Sequence, residues 1–299
     1  MLSISIVTPA YNHAQHLPEA IESVLSQSYC PLEYWVIDGG SADQTRSILQ
    51  SYAGRLRWIS EPDRGQTDAI MKGFQRTEGE IIAWLNADDR YRPGTLEAVS
   101  QFFVKHPQVA LVYGDAHFID SAGRDLGRSA QVETFNYRRL LTVSDFIIQP
   151  AAFFRRSAYE AVCGLDASLS WSMDYDLWLK IAGRFEVAYL PMVLADYRWD
   201  GGNKTATGGM DRLHEVERVV RKHGGDGLPA YFAIEAAAMQ AGQSFHSLLQ
   251  GHYSQAFTSA REAAGYIFSQ RVWGALGSRS AWRIIETRRK IRRRAGGLH

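Results

Sequence analysis

Cysteine is scarce in this chain: two residues in 299, Cys30 and Cys163. Neither belongs to a CxxC pair or to a spacing that suits a metal, so both read as reduced structural thiols of a cytoplasmic protein. No run of 18 apolar residues occurs, and no membrane-spanning helix is expected. The first residues lack a basic stretch followed by a long apolar run, so no secretory leader is expected. The nine histidines are scattered without HExxH, and GxSxG is missing, which disfavours a zinc hydrolase and a serine hydrolase of that type. GxGxxG and GxxxxGK[ST] are missing as well, so neither common glycine-rich loop holds a phosphate here.

What is present is an ordinary globular composition, 45% hydrophobic, enough to bury a sizeable core. Charges nearly balance, 33 basic against 32 acidic, but unevenly: residues 279–294 carry eight Lys or Arg and a single acid, Glu286. The result is an acidic body with a basic tail. In the tail's WRIIETRRKIRRR, Trp282, Ile284, Ile285 and Ile291 lie among the arginines, a pattern suited to a helix lying on an anionic membrane surface. A plain solvated tail is the alternative. The acidic body argues against nucleic acid as a partner.

The first half alternates strand and helix. Residues 4–8, 33–37, 57–60 and 81–85 read as strands. Between them lie helical patterns, the clearest at Leu17, Ala20, Ile21, Val24 and Leu25. Ser41 and Gln44 suggest a capping box for a helix through Tyr52, and Pro93 a helix start. Such alternation predicts an α/β fold with a mostly parallel sheet covered on both faces. Ligands then bind outside the carboxyl ends of the strands. The segments there read TPAYN, DGGS, EPDRG and NADD, all polar and small. From about residue 110, short strand-like pieces (110–113, 118–119, 151–154, 187–190, 195–199) suggest a mixed continuation of the sheet on the acceptor side. An Ala-rich helical extension follows, with GHYSQAFTSAREAAGY resembling half of a tetratricopeptide unit. The expected division is 1–225 for the α/β domain and 226–299 for the helical extension with its basic tail.

Three acidic features carry the chemistry. NADD, at 86–89, follows an apolar strand; a hard divalent cation often takes only one or two carboxylates and completes its shell with substrate phosphates. Taken alone, NADD is equally a helix-capping turn. Asp38 in VIDGGS can accept from ribose hydroxyls or a base N–H, or it can simply close a turn. Asp174 and Asp176 open a helix in SWSMDYDLWLK, and one of them can serve as general base. Both also suit a helix start through the dipole alone. Trp171 and Trp178 beside them suit the stacking of sugar faces.

In order along the chain, SIVTPAYN, VIDGGSADQT, SEPDRGQTDAIMKG, LNADD, QPAAFFRR and DYDLWLK resemble the family 2 glycosyltransferases, over about residues 3–205. The resemblance implies a GT-A fold, a Rossmann-like mixed sheet flanked by helices, and inverting transfer of a sugar from a nucleotide diphosphate donor. It implies that Pro9, Tyr11 and Asp38 hold the nucleoside and that Asp63 and Arg64 lie beside base and diphosphate. Asn86, Ala87 and Asp88 match the family's DxD motif, with Asp88 as ligand of Mg²⁺ or Mn²⁺ and Asp174 as catalytic base. Two positions depart from the pattern: Asn86 replaces the first Asp of DxD, and Met173 replaces the Glu before Asp174. On this view Asn86→Asp restores the pattern and is tolerated or raises metal affinity.

The acceptor is expected to be a glycan or a lipid-linked glycan in surface polysaccharide synthesis, with the enzyme in the cytoplasm or at the inner membrane face. A sugar nucleotidyltransferase, or a binding protein with a weakened site, are the competing classes. TPAYNHAQ is neither Gly-rich nor basic, which disfavours the first.

Overall fold

The computed structural model describes residues 1–129, 131–199, 202–250 and 252–267. They form two compact units: 1–135 with 147–200, and 136–146 with the chain from 201 onward.

The first unit opens with β1 (Ile4–Ala10), α1 (Leu17–Leu25), β2 (Leu32–Asp38), α2 (Thr45–Ser51), β3 (Arg57–Ser60), α3 (Gln66–Phe74) and β4 (Ile81–Trp84). It continues through β5 (Arg90–Tyr91), α4 (Thr95–Lys105), β6 (Val109–Ile119) and β7 (Asp125–Arg128). After α5 (Tyr137–Thr142), which belongs to the second unit, it closes with β8 (Ala152–Arg155), α6 (Arg156–Ala161), α7 (Met173–Ala182) and β9 (Glu186–Arg198).

The sheet runs β3-β2-β1-β4-β8-β6-β9-β5, with β7 beside β6. β1 pairs in parallel with both β2 and β4, so it is buried along its whole length, as its apolar residues on both faces require. One face carries α1, α2 and α4 through Leu17, Ile21, Val24, Leu49, Leu96, Val99 and Phe103. The other is aromatic: Trp84 stacks on Trp178 of α7 at 5.7 Å and meets Phe74 and Phe154 edge-on. Here α3 lies close against the sheet. A Cβ on Gly73 would come within 2.4 Å of Val7 Cγ1, so only glycine permits the approach.

The mixed α/β sheet flanked by helices agrees with the expected fold, and its details correct several readings. Val109–Ile119 form one strand, and Glu186–Arg198 another. They pair in parallel with register shifts at Val109/Leu111, Tyr113/Asp115 and Asp115/Ala116. Bulges break the period of two, so each strand reads in sequence as two fragments. β8 is antiparallel to both β4 and β6, which returns β6 to the direction of β4 and brings its carboxyl end to the same rim.

No capping box forms at α2. The Asp43 carboxylate takes the Thr45 N–H at 2.9 Å, and the Ser41 hydroxyl donates instead to Asp38. α4 begins at Thr95 behind a left-handed Gly94, two residues later than Pro93 suggests.

The second unit holds α5, α8 (Lys204–Thr207), α9 (Gly209–Lys222), α10 (Ala230–Leu249) and α11 (Tyr253–Ile267). The chain therefore divides near 200 rather than at 225. The reason is α9, which buries Leu213, Val216, Val219 and Val220 and ties Arg212 to Glu235 of α10 at 2.6 Å. The segment 136–146 joins the same unit, with Val143 C=O accepting from Tyr231 N–H at 2.9 Å.

α10 and α11 form a single helical hairpin, the only counterpart of the tetratricopeptide-like stretch among the described residues. Its tip exposes Phe245, Leu248, Leu249, Tyr253 and Phe257. No described helix is long and apolar enough to cross a membrane. The basic segment 279–294 lies outside the described residues. Both cysteines are free and exposed, not structural core thiols.

Candidate active site

At the rim, two loops clamp each other. Asn12 N–H donates to Ser41 Oγ at 2.8 Å, and Asn12 Oδ1 accepts from Ala42 N–H at 2.9 Å. His13 N–H reaches Thr45 Oγ1, and Ala14 N–H reaches Asp43. Asn12 sits at a φ of 53°, which turns the chain sharply after β1 and leaves Tyr11 62% exposed at the strand's end. Pro9 is buried within β1 opposite Ile37.

Asp38 ends β2 fully buried. Its carboxylate accepts from the Ser41 hydroxyl, from Ser41 N–H at 3.2 Å and from Ser60 Oγ at 2.6 Å. In this state the carboxylate is occupied by its own loop. The adjacent Gly39 lies against Asp63, whose Oδ2 would sit 2.5 Å from an added Cβ. Asp63 also accepts from Gly65 N–H at 2.8 Å. Arg64 is exposed and paired with Asp68 at 3.0 Å.

The NADD turn closes with Asp89 N–H on Asn86 C=O at 3.1 Å. The Asn86 amide is saturated on both sides: Oδ1 accepts from Gln66 Nε2 at 2.7 Å, and Nδ2 donates to Asp89 Oδ2 at 3.1 Å and Gln149 Oε1 at 3.0 Å. Gln149 in turn holds Trp84 C=O at 2.8 Å. Ala87 sends its side chain into the hydrophobic core and is no side-chain contact for a substrate. Asp88 is half-buried, and its carboxylate has no protein partner among the described residues. Asp89 is buried, and burial, with the Asp88 charge beside it, pushes its pKa well above the ordinary carboxylate range.

On the other side, Thr67 Oγ1 touches Met173 Sδ at 2.6 Å and Leu169 C=O at 2.9 Å. The first two residues of α3 therefore reach Asn86 and Met173 together, which joins Asp174 to the same rim. Asp174 stands half-buried in the first turn of α7, with Oδ1 accepting from Tyr175 N–H at 2.8 Å. Asp176 is fully buried and ion-paired with Lys180 at 2.7 Å, which removes it as a base. Trp178 is buried in the aromatic stack and cannot bind a sugar face. Gln66 and Gln149 lie within EPDRGQ and QPAAFF, but their types alone gave no reason to single them out.

Behind the turn lies a charge network that the sequence does not announce. Arg198, 1% exposed, meets Glu19 at 2.5 Å, and Arg90 also pairs with Glu19. Arg90 and Arg92 each reach Asp196 at 2.6 Å. Burial pushes the Glu19 pKa up, but Arg198 and Arg90 outweigh it, and the group ends below its ordinary 4.5. A depressed carboxylate adds stability above its unfolded pKa and loses it as pH falls through the folded one. Acidification below about pH 4.5 should therefore remove this contribution. Urea midpoints measured down to about pH 3 should fall less steeply for Glu19→Gln than for the wild type; equal slopes would refute the assignment.

The bonding of Asn86 also revises the expectation for Asn86→Asp. An oxygen in place of Nδ2 would face Asp89 Oδ2 at 3.1 Å and Gln149 Oε1 at 3.0 Å. Leaving such groups unsatisfied costs about 1–3 kcal/mol. The variant should melt at a lower temperature without metal; an unchanged melting point would mean that the amide does not hold the turn.

Among the described residues no three His, Cys, Asp or Glu side chains converge on a metal site. Near the turn, the Asp88 carboxylate has no protein partner among the described residues.

The model of glycosyl transferase family 2 matches residues 5–163, just over half of the chain. Chondroitin synthase of Escherichia coli is 31% identical over 182 residues, 60% of this chain but 26% of that protein. The structure of S. aureus TarS 1–349 with UDP-GlcNAc superposes with a TM-score of 0.63 at 17% identity, covering 100% of this chain and 93% of that one. The mannosyltransferase PcManGT of Pyrobaculum calidifontis, solved with GDP-Man and Mn²⁺, gives 0.58 at 18% identity, covering 96% and 86%. The rim residues, the GT-A-like sheet beneath them and the family match agree: the chain belongs to glycosyl transferase family 2 and is a glycosyltransferase.

Proposed function

We propose that the enzyme transfers a sugar, with inversion, from a nucleoside diphosphate donor to a hydroxyl of a glycan or lipid-linked acceptor in surface polysaccharide synthesis. The observation that supports this most is the α3 contact pair, Gln66 on Asn86 and Thr67 on Met173, which sets the candidate metal ligand and the candidate base on one rim. Chondroitin synthase among the relatives supports a polysaccharide product.

Tyr11 offers an exposed ring on which the base of the donor stacks, and Asp38, released from Ser41 and Ser60, accepts from the nucleoside. Arg64, at the mouth of the EPDRG loop, supplies charge to the diphosphate, and Asp63 holds that loop against Gly39. Asp88 is the residue suited to hold Mg²⁺ or Mn²⁺ together with the donor's phosphates, and Mn²⁺ in PcManGT supports the choice. When bound, the cation offsets the charge that develops on the leaving diphosphate. Asp174 takes the acceptor's proton, and the resulting oxygen attacks the anomeric carbon from the face opposite the diphosphate. One carboxylate base without a covalent nucleophile gives a single displacement.

The test is the anomeric configuration of the product, read by NMR after incubation with UDP- and GDP-sugars and Mn²⁺. Opposite configuration to the donor is expected; retention would overturn the mechanism.

The same proposal sets the enzyme in the cytoplasm at the inner membrane face. The segment 279–294 supplies positive charge, and the hairpin tip supplies exposed apolar side chains in a stretch, 236–260, without a single Asp, Glu, Lys or Arg. Stable peripheral binding takes two such signals. Co-sedimentation with anionic vesicles should be lost at high salt and in a chain stopped at Gly277; equal recovery of both chains would remove the tail from the proposal.

A further inference from the structure

We infer that Arg198 is a positioning residue for Asp88: its buried guanidinium grips the Asp88 main chain and sets the direction of the carboxylate that takes the cation. Arg198 ends β9, about as far along the sequence from NADD as any residue of the first unit. Its Nε donates to Asp88 C=O at 2.7 Å, and its backbone N–H donates to Asp89 Oδ1 at 2.9 Å. Both ends of one residue thus hold two consecutive residues of the turn. The far side of the guanidinium is fixed as well: Nη1 donates to Asp120 C=O at 2.7 Å and Ser121 C=O at 3.2 Å, and Nη2 donates to Glu19 at 2.5 Å.

This arrangement is expensive. Taking an arginine out of water carries a large desolvation cost before its partners are counted, and an apolar side chain of equal size often serves stability as well. Glue for the fold does not require a charge here. What the guanidinium supplies that an apolar residue cannot is a directional grip on one carbonyl, held rigid by three further acceptors. A peptide plane fixed in this way narrows the positions that the Asp88 Cβ can take. The Asp88 carboxylate has no protein partner among the described residues to orient it otherwise. Partners behind a metal ligand typically change metal affinity by about 10–100-fold.

The inference rests on Asp88 being the metal ligand, and the test separates the two. The full-length chain is titrated with Mn²⁺ in the presence of UDP or GDP, whichever the wild type binds, and nucleotide affinity is measured again without metal. Arg198→Lys keeps the charge but loses the fork. It should weaken Mn²⁺ by about 10–100-fold while leaving metal-free nucleotide affinity unchanged, and excess Mn²⁺ should restore kcat.

Unchanged Mn²⁺ affinity in Arg198→Lys, or an equal fall in metal-free binding, overturns the inference and leaves the Asp88 reading intact. Wild-type Mn²⁺ dependence in Asp88→Ala alone overturns both. Where Arg198→Lys does not fold, Glu19→Gln is the second variant. It frees one side of the guanidinium and should move Mn²⁺ affinity in the same direction by a smaller factor; no movement counts against the inference.

Discussion

Asp174→Asn is expected to lower kcat by about 10²–10⁴-fold and to leave donor affinity close to that of the wild type. The amide has the size of the carboxylate but cannot accept the proton of the acceptor hydroxyl. Asp174 lies in the first turn of α7, where its Oδ1 accepts from Tyr175 N–H, a bond that the asparagine Oδ1 can also make. The local fold therefore survives, and the loss falls on the chemical step. Single-turnover rates and donor titration on the same preparation separate the two effects. Near-normal turnover would reject Asp174 as the base, and a parallel loss of donor binding would assign it to the donor site instead.

Asp88→Ala has the second largest expected effect. No protein group pairs with this carboxylate among the described residues, so its removal breaks no hydrogen bond of the fold. Burial is the main cause that raises the Asp89 pKa, and the variant relieves the smaller contribution of the Asp88 charge. Folding stability should hold or rise slightly. The Mn²⁺-dependent part of donor binding should disappear, because no group of three His, Cys, Asp or Glu side chains among the described residues offers the ion another site. Isothermal titration with donor, with and without Mn²⁺, reads this directly. A full metal response in the variant would show that the cation binds elsewhere.

Where the sequence was informative, local pattern and tertiary structure agreed. β1 to β4 and their helices follow from short apolar runs and from the period of α1, although β4 pairs with β1, which lies 77 residues before it. The rim residues could be named because their motifs follow in order after those strands. What stayed hidden depends on contacts made over long sequence distances. The saturation of Asn86 needs Gln66 and Gln149, 20 and 63 residues away. Met173 appears from sequence as a lost carboxylate, whereas in the fold it is a buried partner of Thr67, 106 residues away. Asp176 and Trp178 share their motif with Asp174 and resemble it as site residues; only their burial against Lys180 and Trp84 separates them. α9 lies before the boundary expected at 225, while its apolar stripe is buried and Arg212 pairs with Glu235 of α10.

The sheet order also has a consequence for the sequence of events in folding. β5 follows β4 closely in the chain, yet its pairing partner is β9, whose residue Asp196 stands opposite Arg90. The strands β1 to β4 end by Trp84, whereas the bond from Arg198 to the Asp88 carbonyl spans 110 residues. Contacts of such separation slow folding, because the loop must close before it is rewarded. The NADD turn should therefore gain this grip late, once β9 has docked against β6.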